Sequence, residues 1–122
     1  MWDCSPGARE EAVLRQGLLA VHPDLAAQVT ASGTVILETK RDGVRPHGLG
    51  LLAATEESLI YFEDEVSILV FPWAEISDLK IRRKIHGRRI ALSTGGEVIK
   101  FADDSGQLAL TLRQDWLRRQ DG

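Results

Sequence analysis

From Gly33 onward the chain reads TVILETK, GLGLLAAT, LIYFED, VSILVF, SDLKIRR, RIALST and EVIKFA, and turn residues separate each run from the next. Seven short aliphatic or β-branched runs at close, even spacing predict an antiparallel barrel or sandwich. Helical periods flank this region. Leu14, Leu18 and Val21 recur at helical spacing, with Ser5-Pro6 as cap and first-turn residue, which predicts a helix over 7–20. His22-Pro23-Asp24 breaks it, and DLAAQVTA supports a second short helix. At the other end, Asp103, Asp104 or Ser105 can cap a helix whose apolar stripe is Leu108, Ala109, Leu112 and Trp116. The expected domains are an N-terminal helical extension, 1–32, and a β domain, 33–122.

The apolar pattern of the second to fourth runs is the next constraint. With Glu56-Glu57 as a two-residue turn, Leu51, Ala53, Ile60 and Phe62 share one face, and Leu52, Ala54, Leu59 and Tyr61 share the other. A sheet apolar on both faces needs a cover on each. The barrel interior supplies one, and the N-terminal helices or another subunit must supply the other. Leu52, Leu59, Tyr61, Leu69, Phe71 and Trp73 are therefore candidate protein-contact residues.

Charge is polarised along the chain. Of 15 Lys and Arg, six fall between Lys80 and Arg89, although the net charge is −3. No Lys or Arg stands between Arg45 and Lys80, whereas seven acids do: Glu56, Glu57, Glu63, Asp64, Glu65, Glu75 and Asp78. With His86-Gly87 as a two-residue turn, Lys84 faces Arg89, Arg82 faces Ala91, Ile81 faces Leu92 and Lys80 faces Ser93. Leu79, Ile81, Ile90 and Leu92 then form a core face, with Arg83 toward that side, while Lys80, Arg82, Lys84 and Arg89 face solvent. The candidate anionic-surface contacts are Lys80, Arg82, Lys84, Arg88 and Arg89, helped by Lys40 and Arg41. Nucleic acid fits poorly, because no exposed aromatics interleave with the cations as stacking platforms.

Catalysis requires convergent groups, and His22, His47, His86 and Cys4 are scattered along the pattern. No catalytic residue, metal site, cofactor or small-molecule substrate is expected. No apolar run reaches the ~18 residues of a spanning helix. The N-terminus lacks a signal-peptide pattern, and one cysteine fits a reducing compartment. A cytoplasmic location is expected, with contact at the inner face of the membrane as the second reading.

GLGLLAATEESLIYF (48–62), FPWAEISDLKIRRK (71–84) and GRRIALSTGGEVIKF (87–101) resemble, in order and spacing, the bacterial PH-like domain family, relatives of the GRAM and pleckstrin-homology superfold. The resemblance runs from about Gly33 to the end. It implies seven antiparallel strands in two near-orthogonal sheets, capped by a C-terminal helix. It also implies binding or scaffolding rather than catalysis. Many eukaryotic members bind phosphoinositides through basic residues around the first loop. Here that loop carries Lys40, Arg41 and Arg45, with Asp42 opposing and no basic pair on the strand that follows. The expected function is a non-catalytic module acting through protein contacts, its own copies included; the alternative is peripheral binding to anionic lipid through 80–89.

Overall fold

Thr55 closes the hairpin at Glu56-Glu57 from within. Its amide donates to the Ser58 carbonyl at 2.8 Å, and its Oγ1 accepts from the Ser58 amide at 3.0 Å. Strands β2 (Leu49–Ala54) and β3 (Ser58–Asp64) therefore pair as the turn predicts, Leu51 with Phe62 and Ala54 with Leu59. A computed structural model of the chain describes residues 6–39, 48–103 and 106–121. Cys4, Ser5, Lys40, Arg41, Asp42, Arg45, His47, Asp104 and Ser105 lie outside these residues.

The remaining strands are β1 (Ala31–Leu37), β4 (Ser67–Pro72), β5 (Ile76–Arg83), β6 (Arg88–Thr94) and β7 (Glu97–Asp103). A 3-10 turn, Trp73–Glu75, joins β4 to β5. The protein is mainly β with helices, and its seven antiparallel strands form one sheet in the order β4-β3-β2-β1-β7-β6-β5. The resemblance implied two sheets; here the two halves are continuous through Ile36–Ala102 and Leu37–Phe101. One buried cluster draws on every strand: Val35, Leu37, Leu52, Ala54, Leu59, Tyr61, Phe71, Ile76, Leu79, Ile90, Leu92, Ile99 and Phe101. A sheet whose strands all feed one core is wrapped around that core.

Helix α3 (Gln107–Asp121) completes the core with the expected stripe, Leu108, Ala109, Leu112 and Trp116. Its first turn is held by Asp103, whose buried carboxylate accepts the Ala109 amide at 2.9 Å. Gly106, at φ 75°, makes the sharp entry, and Arg88 donates to its carbonyl at 3.3 Å.

The outer face of β2–β3 is covered by the chain's own N-terminal part. Helix α1 (Pro6–Val21) and the short α2 (Pro23–Ala27) place Leu18, Leu14 and Ala26, with Val29 just beyond α2, against Leu51, Ala53, Phe62 and Ile68. Gly17 brings α1 close: a Cβ there would stand 3.2 Å from the Phe62 ring. Ser32 on β1 donates to Glu11 of α1 at 2.7 Å. Of the two covers the sequence allows for this face, the helices are the one present.

The β5–β6 hairpin differs from the expected register. Arg83 pairs with Arg88, Arg82 with Arg89, Ile81 with Ile90 and Leu79 with Leu92. The connection is the four residues Lys84–Gly87, closed by Lys84 N–H to the Gly87 carbonyl at 3.2 Å, with Gly87 at φ 74°. The shift is two residues relative to a His86-Gly87 turn. Because side chains alternate with period two, every residue keeps its face while changing its partner. Arg83, expected toward the core side, lies past the end of the core and is exposed.

Candidate anion-binding face

Alternation along β5, β6 and β7 sorts their residues into rows. Leu79–Leu92–Ile99 and Ile81–Ile90–Phe101 point inward and, apart from the half-buried Ile81, are fully buried. The rows that alternate with them, Lys80–Ala91–Lys100 and Arg82–Arg89–Ala102, face outward. Ala91 and Ala102 are nearly covered, so small side chains floor a face whose projecting groups are cationic. Lys80, Arg82 and Lys100 are exposed, Arg89 half-exposed. The tip, Lys84–Gly87, extends this face and carries Ile85 97% exposed.

The contact candidates of the basic run, all within the described residues, each have a place. Lys80 lies 3.7 Å from Asp78 in an exposed pair, and Arg88 turns away to the Gly106 carbonyl. Lys84 and Arg89 converge on Glu38. The Arg89 guanidinium forks onto the carboxylate, Nε to Oε1 at 2.7 Å and Nη2 to Oε2 at 3.4 Å, and Lys84 Nζ stands 3.5 Å from Oε2. Among the described residues Arg82 and Arg83 have no acidic partner. The opposed like charges Arg82–Arg89 and Arg83–Arg88 destabilise a hairpin, and the Glu38 carboxylate offsets part of that repulsion.

Two residues of this face escaped the sequence reading. Lys100 sits in EVIKFA, away from the basic run, and strand pairing alone brings it into the row of Lys80, across Ala91. Glu38 follows β1 and carries no local signal; its amide donates to the Lys100 carbonyl at 2.8 Å, one step beyond the β1–β7 pairing. The Arg89 hydrogen bond holds the Glu38 carboxyl below its ordinary value, against an opposing push from partial burial. Glu38 in turn raises the Arg89 guanidinium. A depressed carboxylate stabilises the fold above its unfolded value and loses that contribution as pH falls through the folded one. The stability gap between wild type and Glu38→Gln is therefore expected to be present at neutral pH and to close in acid, below the ordinary carboxylate range. Urea midpoints measured across pH check this, and a gap that widens in acid contradicts the sign.

The six candidate protein-contact residues are interior. Leu52, Leu59, Tyr61, Phe71 and Trp73 belong to the buried core, and Leu69 packs against it half-buried. They face the wrapped side of the sheet, so none offers the surface their apolar character suggested. Trp73 packs at the rim. Its Nε1 donates to the Thr55 carbonyl at 2.9 Å, its ring lies 6.4 Å from that of Trp116, and Arg119 stands over it at 4.6 Å. His22 lies between α1 and α2 and His86 on the exposed hairpin tip. Among the described residues, no group of three or more His, Cys, Asp or Glu could hold a metal ion. No described helix is long and apolar enough to cross a membrane.

Fold and face together define a class: a wrapped seven-stranded antiparallel sheet, plugged by one helix, with a cationic face on β5–β7. No family model matches the chain, and comparison with curated proteins finds no significant match.

Proposed function

We propose that this chain is a non-catalytic, PH-like binding module that docks an acidic protein partner on the outer face of β5–β7. The observation that carries this reading is the pair of outward rows, Lys80–Ala91–Lys100 and Arg82–Arg89–Ala102, on a chain of net charge −3. A face so charged on an acidic protein selects partners by sign and speeds their encounter. The apolar argument for self-association weakens, because α1 already covers the outer side of β2–β3.

Poly-L-glutamate at low ionic strength tests the face. Binding is expected to be salt-sensitive, and the triple variant K80E/R82E/K100E is expected to bind at least tenfold more weakly, since each cation near an anionic surface adds about 1 kcal/mol. Absence of binding by the wild type, or equal binding by the triple variant, rules the reading out.

Ile85 supports a second reading. An apolar side chain 97% exposed at the tip of a basic hairpin is suited to the interface of an anionic bilayer, where its burial contributes about 1.5–3 kcal/mol. Co-sedimentation with phosphatidylglycerol vesicles that is lost in Ile85→Ser and absent with neutral vesicles would favour the membrane over a protein partner.

A further inference from the structure

We infer that Lys84 and Arg89 form a carboxylate-binding site that Glu38 fills within the free protein, and that an Asp or Glu side chain of the acidic partner takes over when the two proteins meet. This rests on the reading of the β5–β7 face as the binding surface. It adds the position where a specific contact is made and the residue that competes for it.

The geometry is that of a ligand already bound. Arg89 offers two parallel N–H donors to the two oxygens of one carboxylate, the arrangement by which guanidinium groups recognise carboxylates. Lys84 adds a third donor on the same side. The Arg89, Lys84 and Glu38 side chains remain 35%, 27% and 22% exposed, so an incoming group can reach the donors without unfolding. The chain that carries Glu38 runs beside β7: Glu38 N–H bonds to the Lys100 carbonyl, and Thr39 Oγ1 accepts the Lys100 amide at 2.9 Å. A carboxylate presented from a chain running beside a strand is what this site holds now. The ligand class that fits it is an acidic polypeptide segment.

The flanking charges favour exchange over permanent closure. Arg82 lies directly opposite Arg89, and Lys80 and Lys100 stand in the adjoining row. Glu38 on the clamp and the exposed Asp78 beside Lys80 leave most of this positive charge unmatched. A segment bearing several acids satisfies the clamp and its neighbours together, so it displaces Glu38 although each contact is no stronger than the one it replaces.

The test is titration with poly-L-glutamate of the wild type, Glu38→Gln and Asp78→Asn, with thermal unfolding to confirm that each is folded. Glu38→Gln removes the competing negative charge from the clamp and is expected to tighten binding roughly tenfold, the factor expected if the site is open about one-tenth of the time. Asp78→Asn removes an equal charge from the exposed Lys80 pair and is expected to gain much less. In the wild type, the NMR signal of the Glu38 carboxyl carbon is expected to move toward its solvated value as ligand saturates. Equal gains in the two variants, no gain in Glu38→Gln, or a Glu38 signal unmoved at saturation overturns the inference while leaving the basic face intact as a binding surface. Gain with phosphatidylglycerol vesicles but not with poly-L-glutamate overturns the polypeptide assignment. No binding by wild type or either variant overturns the face and the clamp together.

Discussion

Replacing Trp116 by alanine is expected to cost about 3–5 kcal/mol, the range for deleting a large buried aromatic. Trp116 is 7% exposed and carries the C-terminal end of the α3 stripe into the core. Its indole is stacked on that of Trp73, with planes 30° apart, and such a pair contributes about 0.5–1.5 kcal/mol beyond the area it buries. Trp73 is in turn fixed by the Thr55 carbonyl, and Arg119 reaches past it to the Thr55 and Glu56 carbonyls at 3.1 and 2.8 Å. One substitution thus loosens helix, rim and the β2–β3 turn together. Against a typical domain stability of about 5–15 kcal/mol, the loss is a large share of the whole. Urea unfolding checks it. A cost below about 1 kcal/mol would mean that α3 is dispensable to the wrapped sheet.

Leu18→Glu is expected to unseat α1 and turn the protein into an associating species. Leu18 is 1% exposed, set among Leu51, Ala53 and Phe62 on the outer side of β2–β3. Burying its side chain stabilises by about 1.5–3 kcal/mol, whereas an unpaired buried carboxylate costs several kcal/mol. The charge wins, and the helix leaves rather than holding it. The wrapped core on the other side of the sheet does not depend on Leu18, so the β signal in far-UV circular dichroism should persist. What becomes exposed is a contiguous apolar face, the usual mark of an interaction or aggregation surface. Light scattering should then report oligomers, and proteases should cut α1 faster than in the wild type. A monomer with α1 still protected would show that the helix is held by other contacts, such as Ser32 to Glu11.

The seat of Leu18 accounts for the apolar pattern of β2–β3. Leu51, Ala53 and Phe62 on one side, and Leu52, Ala54 and Tyr61 on the other, announce that β2–β3 is covered twice. They do not announce by what. A helix of the same chain and a second subunit bury the same surface and leave the same pattern. The candidate contact set, Leu52, Leu59, Tyr61, Leu69, Phe71 and Trp73, came from the side that wraps around the core.

Much of this fold is legible in local sequence pattern. Short aliphatic runs between turn residues mark the seven strands, alternation sorts the faces of β5 and β6, helical spacing picks out Leu108, Ala109, Leu112 and Trp116, and the Glu56-Glu57 turn sets the β2–β3 register. Alternation left the β5–β6 register open by two residues, since a shift of two preserves every face; Gly87 and the four-residue loop decided it. Long-range packing is what puts α1 over the outer side of β2–β3, Lys100 on the basic face and Glu38 in the grip of Arg89. Glu38 and Arg89 are 51 residues apart in the chain. No pattern with a period of two or 3.6 residues reaches that far, so a contact between them exists only once the sheet has wrapped.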